Sequence, residues 1–345
     1  MLWSRAVRAA SSLVSLYGRG ALGLRTLCPD LVAIHLWHSV GPIDDPRRRC
    51  FDQSDLAKGA SSHCELSVFE AQVASIRRDF RVVSLAEGVS LLGSGQRGYG
   101  WCAALTFDDG FASTVESALP WLHAQGLPST LFVNADLAAR TGVKNVDLII
   151  YGLNVLGSAR VAAVLRAAHA PAPEPELAAG TFDFRIVVGH PAWPAAKQML
   201  LESLGTSEAG FAAQLGVYAS WDALRAVPPG VTIGNHGAAH AYLSALDDDE
   251  IVAEIEGGFD AIRRELSVAD APYAFAFGQP QDFPAGAERV ARASHTVVAS
   301  AFGGINRPGT PPHLLRRVPM FSSANDRMRA EYEFPPRTLL SLLGP

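Results

Sequence analysis

The sequence lacks the features that mark several classes of protein. Only four of its 345 residues are cysteine, and no two of them form a C-x-x-C pair. This argues against a disulfide scaffold and a thiolate zinc site, so we expect Cys28, Cys50, Cys64 and Cys102 to be small core residues. No run approaches the roughly 20 apolar residues that a membrane-spanning helix needs. The net charge of −5 leaves no basic footprint, so nucleic acid is not an expected partner.

What the chain does contain is ample apolar material. Hydrophobic residues make up 48% of it and charged residues 18%, which excludes a mainly disordered chain. The length fits about two domains of ordinary size, and it equally fits a single barrel.

The N-terminal segment, residues 1–30, is basic. Its only charged residues before Asp30 are four arginines, and its apolar residues recur at helical spacing. Such a segment fits an amphipathic helix on anionic lipid, a helix packed on the domain, or a short signal peptide with residues 9–17 as its apolar stretch. Three serines in that stretch, and no small-x-small site after it, argue against export. We therefore expect a cytoplasmic protein whose N-terminus can contact the inner membrane.

Strand and helix patterns alternate along most of the chain. Predicted strands fall at residues 31–37, 81–84, 102–107, 129–133, 231–234, 273–277 and 296–300. Helices are predicted between them, one opening with a Ser67–Glu70 capping box and others over residues 85–92, 113–125, 247–266 and 285–293. This alternation predicts a parallel α/β sheet, open or closed into a barrel, with its chemistry at the C-terminal ends of the strands.

The alternation stops between the strands at 129–133 and 231–234. Helical patches fill this span, together with a proline-rich segment at residues 171–175 that predicts an exposed extended loop. We interpret residues 137–229 as a mostly helical insertion. The main domain then comprises residues 31–136 and 230–320, and residues 321–345 form a C-terminal tail.

The strand at 102–107 runs directly into Thr106-Phe107-Asp108-Asp109-Gly110. Two adjacent carboxylates at a strand end point in different directions, because side chains alternate along a strand. One can then bind a cation while the other accepts a proton. The simpler interpretation is a turn in which an aspartate caps the next helix.

A second polar motif, His236-Gly237-Ala238-Ala239-His240, follows the strand at 231–234. Histidines at i and i+4 share one face of a helical turn, which is a spacing used to hold a metal, although both could equally be structural. Together the two motifs supply one carboxylate and two imidazoles for a divalent ion, with positions left open for water and substrate. That ligand set fits metal-assisted hydrolysis and also non-haem iron oxygenation.

Two of these motifs resemble those of the polysaccharide deacetylases, the carbohydrate esterases with a NodB-type domain. The family's T-F-D-D-G motif is unbroken at Thr106–Gly110. Its H-[S/T]-x-x-H motif is met by His236 and His240, with Gly237 in place of the hydroxyl residue.

Weaker likenesses point to the exopolysaccharide branch, which includes the deacetylases of poly-N-acetylglucosamine. Residues 275–280 resemble its third, proline-containing motif with an altered end. Residues 36–40 resemble its Y-H-x-V start, and residues 301–318, with Arg316-Arg317-Val318, also resemble that branch. The likeness spans about residues 31–320, interrupted by the insertion.

The resemblance implies a distorted (β/α) barrel and the removal of acetyl groups from an N-acetylated glycan or glycan precursor, as in exopolysaccharide biosynthesis. One divalent metal ion would be held by Asp109, His236 and His240. Zinc is the first expectation, and cobalt, nickel or iron would also accept these ligands. Asp108 would be the general base.

The other roles follow from the same resemblance. The amide of Phe111 would lie near the oxyanion, and Phe277 would line the substrate site. The Leu-x-His motif that supplies the acid in most of the family is not found near the end of this chain, so His38 would be the acid, as in the branch with the Y-H-x-V start.

The sequence itself favours His38 over His35 as the acid. Residues three apart on a strand face opposite sides, and His38 is at the strand's C-terminal end, so we expect His35 to be structural. His295 and His313 stay open as other candidates for the acid.

Two departures from the family pattern leave other functions open. Residues 274–280 contain no arginine to brace the base, and Gly237 cannot steady a histidine by a side-chain hydrogen bond. An inactive sugar-binding relative is therefore the first alternative, although the Asp108, Asp109, His236 and His240 set is complete. An iron oxygenase is the second alternative, although Asp108 would have no role in such an enzyme.

Overall fold

The computed structural model describes residues 28–52, 63–179, 183–277, 280–300 and 303–320. The predictions for residues 1–27 and 321–345 lie outside this part of the chain. The domain boundaries and the location in the cell stay predictions.

A parallel sheet forms the centre of the molecule. In chain order the strands are β1 (Leu31–Trp37), β2 (Ser39–Gly41), β3 (His63–Glu65), β4 (Arg81–Val82), β5 (Trp101–Phe107), β6 (Ser129–Val133), β7 (Val231–Asn235), β8 (Tyr273–Ala274), β9 (Val298–Ala299) and β10 (Val318–Pro319). Among the described residues the order in the main sheet is β10-β1-β5-β6-β7-β8-β9, with β4 beside β5, while β2 and β3 pair separately. All of these pairings are parallel.

The sheet curls so that one segment contacts both of its ends. Leu315 exchanges backbone hydrogen bonds with Val298 and Ser300 beside β9. A few residues later, Val318 of β10 pairs with His35 of β1. The predicted distorted (β/α) barrel is therefore confirmed.

The helices in chain order are α1 (Leu66–Asp79), α2 (Leu85–Gly93), α3 (Ala112–Glu116), α4 (Ala118–Ala124), α5 (Ala135–Ala138), α6 (Asn145–Leu156), α7 (Ser158–Ala167), α8 (Glu174–Ala179), α9 (Phe184–Val188), α10 (Trp193–Ser203), α11 (Glu208–Leu215), α12 (Trp221–Arg225), α13 (Asp248–Leu266) and α14 (Ala285–Ser294). The stretch from α5 to α12 connects β6 to β7, where the sequence predicts helices. None of the described helices combines the length and the apolar character that a membrane crossing requires.

The core explains why the strands are nearly continuous apolar runs. Every residue of β1, β5 and β6 is buried, as expected for parallel strands covered on both faces. All four cysteines are buried and free, which confirms their predicted core role. A second cluster, which includes Leu148, Leu165 and Leu200, fills the helical stretch and also contains Phe111, the residue after the T-F-D-D-G motif.

Two predictions about helix starts and continuity are wrong. Helix α1 begins at Leu66, and Ser67 donates its hydroxyl to the side chain of Glu65 instead of forming a capping box with Glu70. The helix predicted over residues 113–125 is broken at Ser117 into α3 and α4. Pro120 explains the break, because it has no N–H to donate to the carbonyl four residues earlier and its ring clashes with it.

Other predicted segments are shorter than expected. The strands predicted at 273–277 and 296–300 contain only two residues each, and the backbone bends at residues 276–277. The proline-rich loop is irregular and half-buried over residues 171–173 and becomes helix α8 at Glu174.

Candidate metal centre

Three sequence motifs meet at the C-terminal ends of the strands. Asp108 and Asp109 follow β5, His236 follows the last residue of β7, and His38 follows β1. In a parallel barrel these ends lie on one side, which is where catalytic groups are normally found. The structure therefore brings these residues to the strand ends at which the sequence predicted the chemistry.

The two carboxylates approach the same histidine. The amide of Asp108 donates to the carbonyl of Trp37, which continues the β5–β1 pairing, whereas Asp109 has a left-handed backbone (φ 68°). His236 Nε2 lies 3.7 Å from Asp108 Oδ2 and 3.5 Å from Asp109 Oδ1. Both carboxylates thus approach one imidazole, while Asp108 pairs with Arg317 and Asp109 with Lys144 on their other sides.

The histidine pair lies in a loop and not on a helical turn as the spacing suggested. Gly237 and His240 both have positive φ, 94° and 57°. The ring of His236 donates from Nδ1 to the carbonyl of Ala274 at 2.8 Å, and this leaves Nε2 free to act as a ligand. His240 Nε2 lies 3.2 Å from Asp109 Oδ1. Ligand atoms of Asp109, His236 and His240 all lie within 4.8 Å of one another.

A buried glutamate, not a hydroxyl residue, orders this loop. Glu254 of α13 accepts hydrogen bonds from the amides of Ala239 and Ala241, on either side of His240. A Cβ on Gly237 would lie 2.4 Å from Glu254 Oε1. The glycine in the second motif therefore makes room for the carboxylate, and sequence reasoning missed this because Glu254 is 17 residues away along the chain.

These residues fit a divalent cation. Among the described residues, the buried atom Asp109 Oδ1 has no hydrogen-bond partner. A buried carboxylate oxygen without a donor is costly, and a cation between it and the two imidazoles would satisfy it. One carboxylate and two imidazoles are a suitable donor set for zinc and its neighbours among the transition metals.

Arg317 is a site residue to which the sequence assigned no role. Its guanidinium donates to both oxygens of Asp108, at 2.6 and 2.9 Å, and its side chain is fully buried. It therefore provides the brace that residues 274–280 lack. The signal was present in Arg316-Arg317-Val318, but only the barrel closure shows which arginine faces Asp108.

Lys144 is the second residue that the sequence did not single out. Its Nζ lies 2.6 Å from Asp109 Oδ2 and 3.2 Å from Asp147 Oδ1. No motif marks it, because it precedes α6 in the helical stretch that the sequence separated from the site.

Electrostatics keep both aspartates charged. Burial raises the pKa of Asp108, but the charges of Arg317 and His236 outweigh this and hold that pKa below its usual value. Burial acts in the same direction on Asp109, and Lys144 and His240 hold its pKa well below the usual range. An ionised Asp108 beside the proposed ligands is what a general base requires.

The histidines differ in their surroundings. Burial lowers the pKa of His240 to about 4, so its ring is neutral, as a ligand must be. Burial also lowers the pKa of His236, but the charges of Asp108 and Asp109 outweigh it and the net shift is upward. For His38, burial is the largest influence on the pKa and lowers it, while Asp109 and Asp108 oppose that shift.

His295 and His313, the other candidates for the acid, and His35, which we expect to be structural, have different neighbours. His295 lies between Phe259 and Tyr273, and its Nε2 is 3.1 Å from the side-chain Nδ2 of Asn235. His313 lines a cavity of about 280 Å³ whose lining includes none of the metal-site residues. His35 is buried against Trp37 and Phe80, with no hydrogen-bond partner for its ring among the described residues.

The two phenylalanines implied by the resemblance are both near the site. Phe111 is fully buried, and its ring lies 5.2 Å from Lys144 Nζ. Phe277 has a positive φ of 62°, and its ring packs edge-on against His240 with centroids 5.1 Å apart. The contact ties the altered third motif to a proposed metal ligand.

Comparison with known protein families places this geometry in context. Residues 98–283, more than half of the chain, match the family described as polysaccharide deacetylase. The chain belongs to the polysaccharide deacetylase family, as its motifs indicated. A search of curated proteins gives no match.

Solved structures share the fold at low sequence identity. The Streptococcus pyogenes deacetylase PplD in complex with acetate has a TM-score of 0.54 and 13% identity, over 92% of this chain and 99% of that one. IcaB from Ammonifex degensii has a TM-score of 0.52 and 14% identity, over 88% and 97%. The de-N-acetylase from Aggregatibacter actinomycetemcomitans has a TM-score of 0.52 and 12% identity, over 87% and 100%.

Proposed function

We propose that the protein is a divalent-metal-dependent N-deacetylase that acts on N-acetylated amino sugars of a glycan or glycan precursor. The observation that carries the proposal is the convergence of Asp109, His236 and His240 on one point beside an ionised Asp108. Family membership supports a carbohydrate deacetylase. Metal dependence and the amino-sugar substrate rest on the donor set and the motifs.

The ligand residues have one role, to hold the ion. Asp109, His236 and His240 would bind it, with zinc expected first. When bound, such an ion polarises an acetamide carbonyl and makes water a better nucleophile at neutral pH. The hydrogen bond from His236 Nδ1 to Ala274 sets the tautomer and orientation of that ring.

Asp108 would accept the proton of the attacking water. Its two oxygens receive the Arg317 fork, which fixes the plane of the carboxylate while leaving it charged. Water attacks an acetamide faster when a base removes a proton during the attack, and such a base contributes roughly 10²- to 10⁴-fold.

His38 would protonate the leaving nitrogen. Thr114 Oγ1 donates to the carbonyl of His38 and accepts from the amide of Val40, so the backbone on both sides of Ser39 is clamped at the end of β1. An amine leaves as a neutral molecule only after protonation, which is why the reaction needs an acid as well as a base.

The two alternative functions are less well supported. The inactive relative was favoured by the missing arginine and by Gly237, but Arg317 braces Asp108 and Glu254 orders the histidine loop. An iron oxygenase gives the Asp108–Arg317 pair no role. By the sequence likeness and the named neighbours, we also propose an exopolysaccharide substrate, with poly-N-acetylglucosamine the first to test.

Metal analysis and acetate release test the proposal together. The purified protein, loaded with zinc, cobalt, nickel or iron in turn, is given N-acetylglucosamine oligomers, and acetate is measured. Asp109→Asn should lose metal, because the charged ligand is removed. Asp108→Asn should keep about one ion per chain and lose most turnover, because only the base is removed.

Other results would contradict these assignments. Metal loss in Asp108→Asn with retention in Asp109→Asn would mean that the two aspartates have exchanged roles. Dependence of turnover on O₂ would support the oxygenase. A folded, metal-loaded protein that releases no acetate from any acetamido sugar would support the inactive relative.

A further inference from the structure

A buried cation from the helical stretch reaches the metal centre. Lys144 precedes helix α6, and its side chain is only 7% exposed. Its Nζ lies 2.6 Å from Asp109 Oδ2, on a side chain that is fully buried. A buried ammonium this close to a proposed metal ligand needs an explanation, because it offsets the charge that would attract the ion.

Lys144 is held by groups on its far side. Asp147 Oδ1 lies 3.2 Å from Lys144 Nζ, and Asp147 Oδ2 accepts the hydroxyl of Tyr218 at 2.7 Å. A buried chain of polar contacts therefore runs from Asp109 through Lys144 and Asp147 to Tyr218. Tyr218 also pairs with Phe111 in an isolated antiparallel bridge, so the chain returns to the segment after the T-F-D-D-G motif.

The two oxygens of Asp109 have different surroundings. Oδ1 faces His240 Nε2 at 3.2 Å and His236 Nε2 at 3.5 Å and lacks a hydrogen-bond donor, whereas Oδ2 accepts from Lys144. These contacts fix the orientation of the Asp109 carboxylate. Oδ1 faces the two imidazoles, and Oδ2 is hydrogen-bonded to Lys144.

We infer that Lys144 is a positioning residue that makes Asp109 a ligand through one oxygen only. The inference rests on the proposed function, since it needs the ion to bind between Asp109 and the two histidines. By engaging Oδ2, Lys144 keeps that oxygen out of the coordination shell and leaves a position open for water and substrate. Catalytic metal sites depend on such open positions, and groups that orient ligands typically change affinity or activity 10- to 100-fold.

The competing explanation is that Lys144 only balances the charge of the buried Asp109 and Asp147. In that case its removal would lower stability but leave the coordination of the ion unchanged. The visible absorption of Co²⁺ distinguishes the two, because it responds to coordination number and not to the stability of the fold.

The test replaces Lys144 in the full chain and loads each variant with Co²⁺. Lys144→Met keeps the length of the side chain and removes its charge. We expect weaker cobalt absorption, as a second carboxylate oxygen enters the shell, and metal binding that is about tenfold or more tighter because a nearby positive charge is gone. Lys144→Arg keeps a donor to Oδ2 and should stay close to the wild-type spectrum.

A matched control uses another lysine of the helical stretch. Lys197 forms an ion pair with Glu208 at 2.6 Å and takes no part in the polar contacts that link Asp109 to Tyr218. Lys197→Met should therefore leave the cobalt spectrum unchanged. If Lys144→Met does not fold, Tyr218→Phe loosens the same chain at its other end and should change the spectrum in the same direction with smaller amplitude.

The outcomes separate this inference from the proposed function. A wild-type protein that binds no Co²⁺ would refute the metal-dependent function itself. A wild-type protein that binds Co²⁺, with an unchanged spectrum in folded Lys144→Met, would overturn the role of Lys144 alone. If Lys144→Met does not fold, an unchanged spectrum in Tyr218→Phe would have the same meaning.

Discussion

Replacing Gly237 with the hydroxyl residue that the family usually has should lower both the stability and the metal affinity of this protein. The usual second motif has serine or threonine at this position, so Gly237→Ser looks like a repair when judged from sequence. In the structure Gly237 has φ 94°, and its missing Cβ would lie 2.4 Å from Glu254 Oε1 and 3.1 Å from Glu254 Cδ. Both the backbone and the space require glycine here.

The magnitude follows from two contributions. Placing a side chain at this φ costs about 1–3 kcal/mol. Displacing Glu254 weakens its bonds to the amides of Ala239 and Ala241, and a hydrogen bond to a charged group is worth about 1.5–3 kcal/mol. We expect Gly237→Ser to lower the free energy of unfolding by about 3–5 kcal/mol, a large share of the usual 5–15 kcal/mol. Metal affinity should fall about 10- to 100-fold, because the loop carries both of the proposed histidine ligands.

The assay compares two glycine variants. Gly257 lies in the same helix as Glu254, is exposed, and has open space where a Cβ would be. Gly257→Ser should therefore be neutral or stabilising by a few tenths of a kcal/mol. Denaturant unfolding measures stability for both variants, and competition with a chelator measures metal affinity.

A double variant isolates the clash. In a Glu254→Ala background the carboxylate is gone, so the additional cost of Gly237→Ser should shrink to the backbone contribution of about 1–3 kcal/mol. The reasoning is refuted if Gly237→Ser matches Gly257→Ser in both stability and metal affinity, or if its cost is the same with and without Glu254.

Two further predictions concern the proposed base and acid. Arg317→Lys keeps the charge but loses the bidentate contact with Asp108, so turnover should fall about tenfold or more at unchanged metal content. Arg317→Met should also destabilise the fold by about 3–5 kcal/mol, because it leaves the Asp108 carboxylate buried and unpaired. Full activity in Arg317→Met would show that the brace is unnecessary. His38→Ala should retain metal and slow acetamide cleavage much more than cleavage of an activated acetate ester, whose leaving group depends less on protonation. Equal losses on the two substrates would remove His38 as the acid.

The local sequence alone was enough to predict the buried strands and the candidate metal ligands, because both depend on residues that are close together in the chain. The apolar run at Leu31–Trp37 and the run ending at Phe107 predict buried parallel strands, and the aspartates that follow Phe107 predict polar groups at a strand end. The i, i+4 histidines and the adjacent aspartates identify the family and the candidate ligands, because strand ends in a parallel sheet converge whatever the connections between them.

Only the tertiary structure decided which distant residues complete the site. Arg317 reaches Asp108 from 209 positions away, and Lys144 reaches Asp109 from a helical stretch that the sequence separated from the barrel. The left-handed φ of Asp109, which brings both carboxylates to His236, depends likewise on the turn after β5. Glu254 fills the space left by Gly237 because α13 packs against the histidine loop. Composition and periodicity indicate which secondary structure each segment forms. The ion pairs across the barrel depend instead on how those segments pack against one another.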